Sequence, residues 1–178
     1  MMDSNYQITH KPLVALIVDD ERRSRSHLSR LLEIHHHKLI QVSATSAGGE
    51  DALKLIKDNT PDIVFLDIRM PEINGFELLE KSRNKDFLVV FVTAHEEYGV
   101  KAIHAGATDY ILKPIDTLDL ERAVNNVYDT WKRNRLHKEK TTPASKTHKK
   151  ITLHFAEGFH IIDPSHVVRL EADNTYTT

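Results

Sequence analysis

Five side chains in the sequence are of the types that phosphoryl chemistry uses, and each follows a short apolar run. Asp19 and Asp20 follow the run Leu13–Val18, and Asp67 follows Asp62–Leu66. Thr93 follows Phe87–Val92, and Lys113 follows Thr108–Leu112. If these runs are strands of one open parallel sheet, all five side chains converge on its carboxyl edge, where such sheets bind ligands. Three carboxylates packed together repel one another and demand a cation. An all-oxygen set without His or Cys suits a hard ion, and Mg²⁺ is the natural candidate. Mg²⁺ also neutralises the oxygens of a transferring phosphoryl group. A carboxylate can act as the nucleophile and form an aspartyl phosphate. Asp67 fits that role best because its strand is central in such a sheet, leaving Asp19 and Asp20 to hold the metal. Lys113 would give the phosphate a point charge, and Thr93 a hydroxyl able to turn toward its oxygens. Taken singly, Asp19-Asp20 or Asp67 reads as a helix-capping acid. The five positions together outweigh that reading.

The elements that must position these groups alternate regularly. Leu13–Val18 reads as a buried strand, followed by helical spacing over Glu21–Leu32 with Leu28, Leu31 and Leu32. A second strand is expected over Leu39–Ala44 and a short helix over Gly49–Lys57, with Ala52, Leu53 and Ile56 on one face. The third strand, Asp62–Leu66, precedes a helix that includes Phe76–Leu79, and the fourth, Phe87–Val92, precedes a helix over Glu96–His104. The fifth, Thr108–Leu112, leads through Lys113-Pro114 to a long amphipathic helix beginning at Asp116 and carrying Leu118, Leu120, Ala123, Val124, Val127 and Trp131. This β-α alternation predicts an α/β fold, a parallel sheet covered by helices on both faces.

The composition changes near Arg135. Residues 135–150 carry six Lys and Arg against one acid, Glu139, and read as a flexible basic linker. Ile151–Phe155 and Phe159–Ile162 flank Ala156-Glu157-Gly158, a hairpin signature, and Val167–Glu171 reads as one more strand. The expected division is therefore 1–134, a linker at 135–150, and 151–178. The last piece is too short to bury a core alone, so it is read as an incomplete domain.

In bulk, the 178 residues are 40% apolar and 28% charged with a net charge of −2, the profile of a soluble globular protein. With no cysteine, disulfides, thiolate metal sites and cysteine nucleophiles are excluded. The polar stretch Met1–Pro12 lacks a signal-peptide core, and no apolar run nears the roughly 20 residues of a membrane span. A cytoplasmic protein without membrane attachment is expected. His35-His36-His37 point in different directions on a helix end, which makes a solvated terminus a better reading than a metal site.

Several blocks carry a family resemblance. Val18-Asp19-Asp20-Glu21, Phe65-Leu66-Asp67-Ile68-Arg69-Met70-Pro71 with Asn74-Gly75, Val92-Thr93-Ala94 and Asp109-Tyr110-Ile111-Leu112-Lys113-Pro114 resemble, in order and spacing, the receiver domain of response regulators over about residues 13–134. The resemblance implies a doubly wound, flavodoxin-like sheet of order 2-1-3-4-5. It implies that Asp67 accepts a phosphoryl group from a sensor histidine kinase and that the backbone carbonyl of Arg69 joins the metal ligands. It implies a cis Lys113-Pro114 bond, and a switch in which Thr93 moves toward the phosphate and Tyr110 turns inward behind it. Arg69 and His95 flank the site, at positions that in the family tune the phosphate lifetime.

The stretch Thr93–Tyr110 is similar to receivers of the LytR/AlgR (LytTR-type) regulators, and His160–Tyr176 resembles the opening of their DNA-binding domain. This implies a transcription regulator whose complete output domain binds DNA, as a homodimer when phosphorylated; no DNA-contacting residue is assigned. One rival is a phosphorelay or kinase-binding receiver without DNA output, for which a segment beyond residue 150 has no use. Another is a haloacid-dehalogenase-like phosphatase, which places an acid two residues after its nucleophile, where this chain has Arg69. The protein is expected not to be an enzyme in the metabolic sense.

Overall fold

The computed structural model describes residues 11–82, 86–140, 151–155 and 158–162, with side chains described for 11–82 and 86–136. The chain divides into two units, Met1–Leu136 and His137–Thr178.

The first unit alternates strand and helix. The strands are β1 (Leu13–Val18), β2 (Ile40–Ser46), β3 (Ile63–Leu66), β4 (Leu88–Thr93) and β5 (Asp109–Leu112). Between and after them run α1 (Arg22–His36), α2 (Gly49–Asn59), α3 (Gly75–Lys81), α4 (Gly99–His104) and α5 (Thr117–Lys140). All pairings are parallel, and the order is β2-β1-β3-β4-β5. β3 is thus the central strand, as expected for the one that ends at Asp67.

Alternation along the strands divides the core in two. Ala15 and Ile17 of β1, Ile63 and Phe65 of β3, and Val90 and Val92 of β4 face one side, packing against Leu28 and Leu32 of α1 and Leu120, Val124 and Val127 of α5. Leu16, Val18, Val64, Leu66 and Phe91 face the other, with Ala52 and Ile56 of α2, Leu78 of α3 and Ala102 of α4. A strand buried on both faces has no polar side to show, which explains the unbroken apolar runs of β1 and β3. Helices on both faces make the sheet doubly wound.

Two elements differ from expectation. A single helix over Glu96–His104 is instead a 3₁₀ turn at Glu96–Tyr98 followed by α4 from Gly99. Gly99 is a weak helix former, and the Tyr98 ring is committed to Phe76 and His95. α5 continues through Lys140, six residues into the stretch that composition assigned to a linker. Arg135-Leu136-His137-Lys138-Glu139-Lys140 contains no Gly or Pro, and cations at a helix C-terminus favour the dipole. Among the described residues, no helix is long and apolar enough to cross a membrane.

In the second unit, β6 (Ile151–Phe155) and β7 (Gly158–Ile162) form an antiparallel hairpin with Ile151 opposite Ile162 and Phe155 opposite Gly158. The expected strand at Val167–Glu171 lies outside the described residues.

Candidate functional site

The parallel register brings the strand ends together. Asp67 begins where β3 stops, and its amide donates to the Val18 carbonyl at 2.8 Å, so Asp67 and Asp19 emerge side by side. The Lys113 amide donates to the Thr93 carbonyl at 2.9 Å, which aligns the ends of β4 and β5 in the same way. One oxygen from each of Asp19, Asp20 and Asp67 lies within 4.8 Å of the others. Asp19, Asp67 and Thr93 are buried, whereas Asp20 is exposed.

Lys113 bridges two of these acids: its Nζ lies 2.8 Å from Asp67 Oδ2 and 2.8 Å from Asp19 Oδ2. Asp67 Oδ1 accepts from the Ile68 amide at 2.6 Å, and Asp19 Oδ1 from the Glu21 amide at 2.8 Å. Burial pushes the Asp19 carboxyl above its usual range. The hydrogen bond and charge of Lys113 and the Glu21 amide pull it down, while the Asp67 charge adds to the rise. Burial opposes the Lys113 charge as well, but Asp19 and Asp67 outweigh it and hold the ammonium above its ordinary range. One ammonium therefore serves a cluster of three carboxylates and leaves it short of positive charge.

Thr93 Oγ1 is fully buried and, among the described residues, has no hydrogen-bond partner, at a strand end that its carbonyl ties to Lys113. An orphaned hydroxyl and an under-neutralised oxygen triad fit an oxygen-preferring cation together with an anion such as phosphate. The cleft over the site holds about 540 Å³; besides the acids it is lined by Arg69, His95, Leu28 of α1 and Pro114. The Lys113-Pro114 bond is cis.

Residues 15–125 match the family described as the response regulator receiver domain. The chain belongs to the response regulators. It is 35% identical over 156 residues to the sensory transduction protein LytT of Oceanobacillus iheyensis, covering 85% of this chain and 60% of that protein. It is 34% identical over 176 residues to the sensory transduction protein LytR of Staphylococcus epidermidis, covering 92% of this chain and 68% of that one. The chain thus spans about two thirds or less of the relatives it matches. Among solved structures, the REC domain of AraT, a response regulator from Geobacillus stearothermophilus, superposes with a TM-score of 0.64 at 28% identity, over 70% of this chain and 99% of the other. The receiver match sets the phosphatase reading aside.

Of the remaining expected residues, Arg69 lines the pocket and Tyr110 is joined to it through His95. The Tyr110 side chain is half-buried against the α2–α4 side of the core, and its hydroxyl donates to the His95 carbonyl. Arg69 lies at the pocket wall with its guanidinium on Tyr98, 3.2 Å from the hydroxyl and 5.9 Å from the ring centroid.

Sequence reading missed two neighbours of the acids. Arg25 Nη1 lies 2.5 Å from the Asp19 carbonyl and 3.0 Å from the Asp20 carbonyl. Gly75 enters α3 so close to β3 that a Cβ there would stand 2.4 Å from the Asp67 carbonyl oxygen. The Gly75 amide donates to the Ile68 carbonyl at 2.9 Å, and Asn74 completes a capping box with Glu77. Asn74-Gly75 stood out in the sequence as a motif, but nothing in it indicated which backbone the glycine had to approach.

Proposed function

We propose that this protein is a transcription regulator switched by phosphorylation of Asp67. The observation that carries the reading is Lys113 spanning Asp19 and Asp67, with its amide bonded to Thr93, whose buried hydroxyl has no partner among the described residues. Asp67 is the phosphoacceptor: its carboxylate oxygen attacks phosphorus, the donor's bond to phosphorus breaks, and an aspartyl phosphate forms. Asp19, Asp20, Asp67 and the Arg69 carbonyl would hold Mg²⁺, which when bound neutralises phosphoryl oxygens. Lys113 then exchanges a carboxylate oxygen for a phosphoryl oxygen, and Thr93 gains the partner it lacks. Tyr110 and the α4–β5–α5 face carry the change outward.

The donor is a sensor histidine kinase, as the family implies, and the site of action is the cytoplasm. Similarity to LytR extends over 176 residues, beyond the receiver match at 15–125, and this supports an output segment at 151–178 that opens a LytTR-type DNA-binding domain. DNA is then the partner of the complete output domain. A homodimer when phosphorylated is supported by exposed apolar side chains on three consecutive elements, Val100 and Ile103 on α4, Leu112 on edge strand β5 and Leu118 on α5.

The test treats wild type and Asp67→Asn with acetyl phosphate and Mg²⁺. Intact mass should rise by one phosphoryl group in the wild type alone, as a base-labile adduct, and only with Mg²⁺ present. No adduct on a folded wild type would rule out the phosphoacceptor role.

A further inference from the structure

We infer that Arg25 is a positioning residue for the metal site, an inference that rests on the reading of Asp19, Asp20 and Asp67 as Mg²⁺ ligands. Two carboxylates adjacent in sequence must both aim into one small volume, although neighbouring side chains on an extended backbone point apart. The turn after β1 must therefore be held in one particular shape. Its amides are tied by the bonds from Asp19 N to the Ser46 carbonyl and from Glu21 N to Asp19 Oδ1. Glu21, at the N-cap of α1, makes no side-chain cap bond, and the first turn of α1 holds no acid. The missing brace comes from the second turn. Arg25, half-buried, sends one guanidinium nitrogen to the carbonyls of both Asp19 and Asp20, fixing the two peptide planes that set the direction of the two side chains.

Charge and geometry predict opposite outcomes here. A guanidinium near a cation site opposes the cation, so removing it should tighten Mg²⁺ binding if charge were its main effect. If Arg25 acts by holding the ligands, removing it should weaken binding. Partners that orient metal ligands typically account for about 10- to 100-fold in metal affinity.

The experiment is calorimetric titration of the full chain with MgCl₂ for wild type, Arg25→Met and Arg25→Lys, alongside urea unfolding in EDTA. Arg25→Met should weaken Mg²⁺ binding about tenfold, the low end of that range, with a much smaller change in the EDTA urea midpoint. Arg25→Lys keeps the charge on a shorter stem that does not reach as far as Nη1 of arginine, and should fall between. Unchanged or tighter binding by Arg25→Met overturns the inference. If that variant does not fold, Arg25→Lys decides: weaker binding supports the role, and wild-type affinity overturns it. A wild type that takes up no Mg²⁺ overturns the metal reading and this inference with it. A wild type that binds beside an Arg25→Met that binds equally well overturns only the inference.

Discussion

Lys113 and Asp19 form a 2.8 Å ion pair across the carboxyl edge of the sheet, and the same ammonium meets Asp67 at 2.8 Å. Lys113 thus supplies part of the positive charge that a metal would bring to the cluster. Replacing it with Met should tighten Mg²⁺ binding by roughly tenfold, a fraction of the Coulomb energy between close charges. The same change should slow phosphorylation by acetyl phosphate about a hundredfold, as expected when one preorganised donor to the transferring group is lost. Titration calorimetry and the rate of the mass shift check both; an unaltered Mg²⁺ affinity would show that the ammonium and the metal do not compete.

Thr93 carries a hydroxyl with no partner among the described residues, at a position with no solvent exposure. Thr93→Val removes the polar atom and keeps the shape, so the unphosphorylated protein should gain about 1 kcal/mol. The phosphorylated protein should lose the partner that couples Asp67 to β4, so phosphorylation should no longer change its molar mass in solution. A urea midpoint lower than wild type would contradict the first expectation, and light scattering tests the second.

Gly75 is required by proximity. Its missing Cβ would lie 2.4 Å from the Asp67 carbonyl and 3.1 Å from the Ile68 Cα, both backbone atoms that cannot yield cheaply. Gly75→Ala should destabilise the domain by about 1–3 kcal/mol, the usual range for overpacking. It should also slow phosphorylation, because the strain falls on the peptide of Asp67, the proposed phosphoacceptor. A variant as stable as wild type would mean that α3 shifts without resistance.

His36, in the last turn of α1, titrates below its ordinary value, first because burial disfavours its charge and second because His35 repels it; Glu121 of α5 acts in the opposite sense. The unfolded chain therefore binds this proton more readily than the folded one. The stability held by neutral His36 is present above the unfolded value near 6.5 and is lost as pH falls through the lower folded value. Urea midpoints between pH 7 and pH 5 should fall less steeply for His36→Gln than for wild type. Equal slopes would assign the acid sensitivity elsewhere.

Much of this protein is legible in its sequence. Strands buried on both faces must be apolar throughout, so Leu13–Val18 and Ile63–Leu66 announce themselves. Strand ends at one sheet edge bring Asp19, Asp20, Asp67, Thr93 and Lys113 together once the β-α alternation is read. Their types then suffice to suggest Mg²⁺ and phosphoryl chemistry. The tertiary structure decided what depends on atoms meeting across the fold. Lys113 bridges Asp19 and Asp67, the latter 46 positions away. Arg25 turns back onto two carbonyls, and Gly75 presses on Asp67, contacts with no periodicity to betray them. The break at Tyr98 and the extension of α5 to Lys140 depend on a balance between local propensity and packing. Hydrophobic pattern is a local property with a fixed period and can be read along the chain. Hydrogen bonds and close approaches between distant segments depend on side-chain direction to within an ångström, which the chain acquires only when it folds.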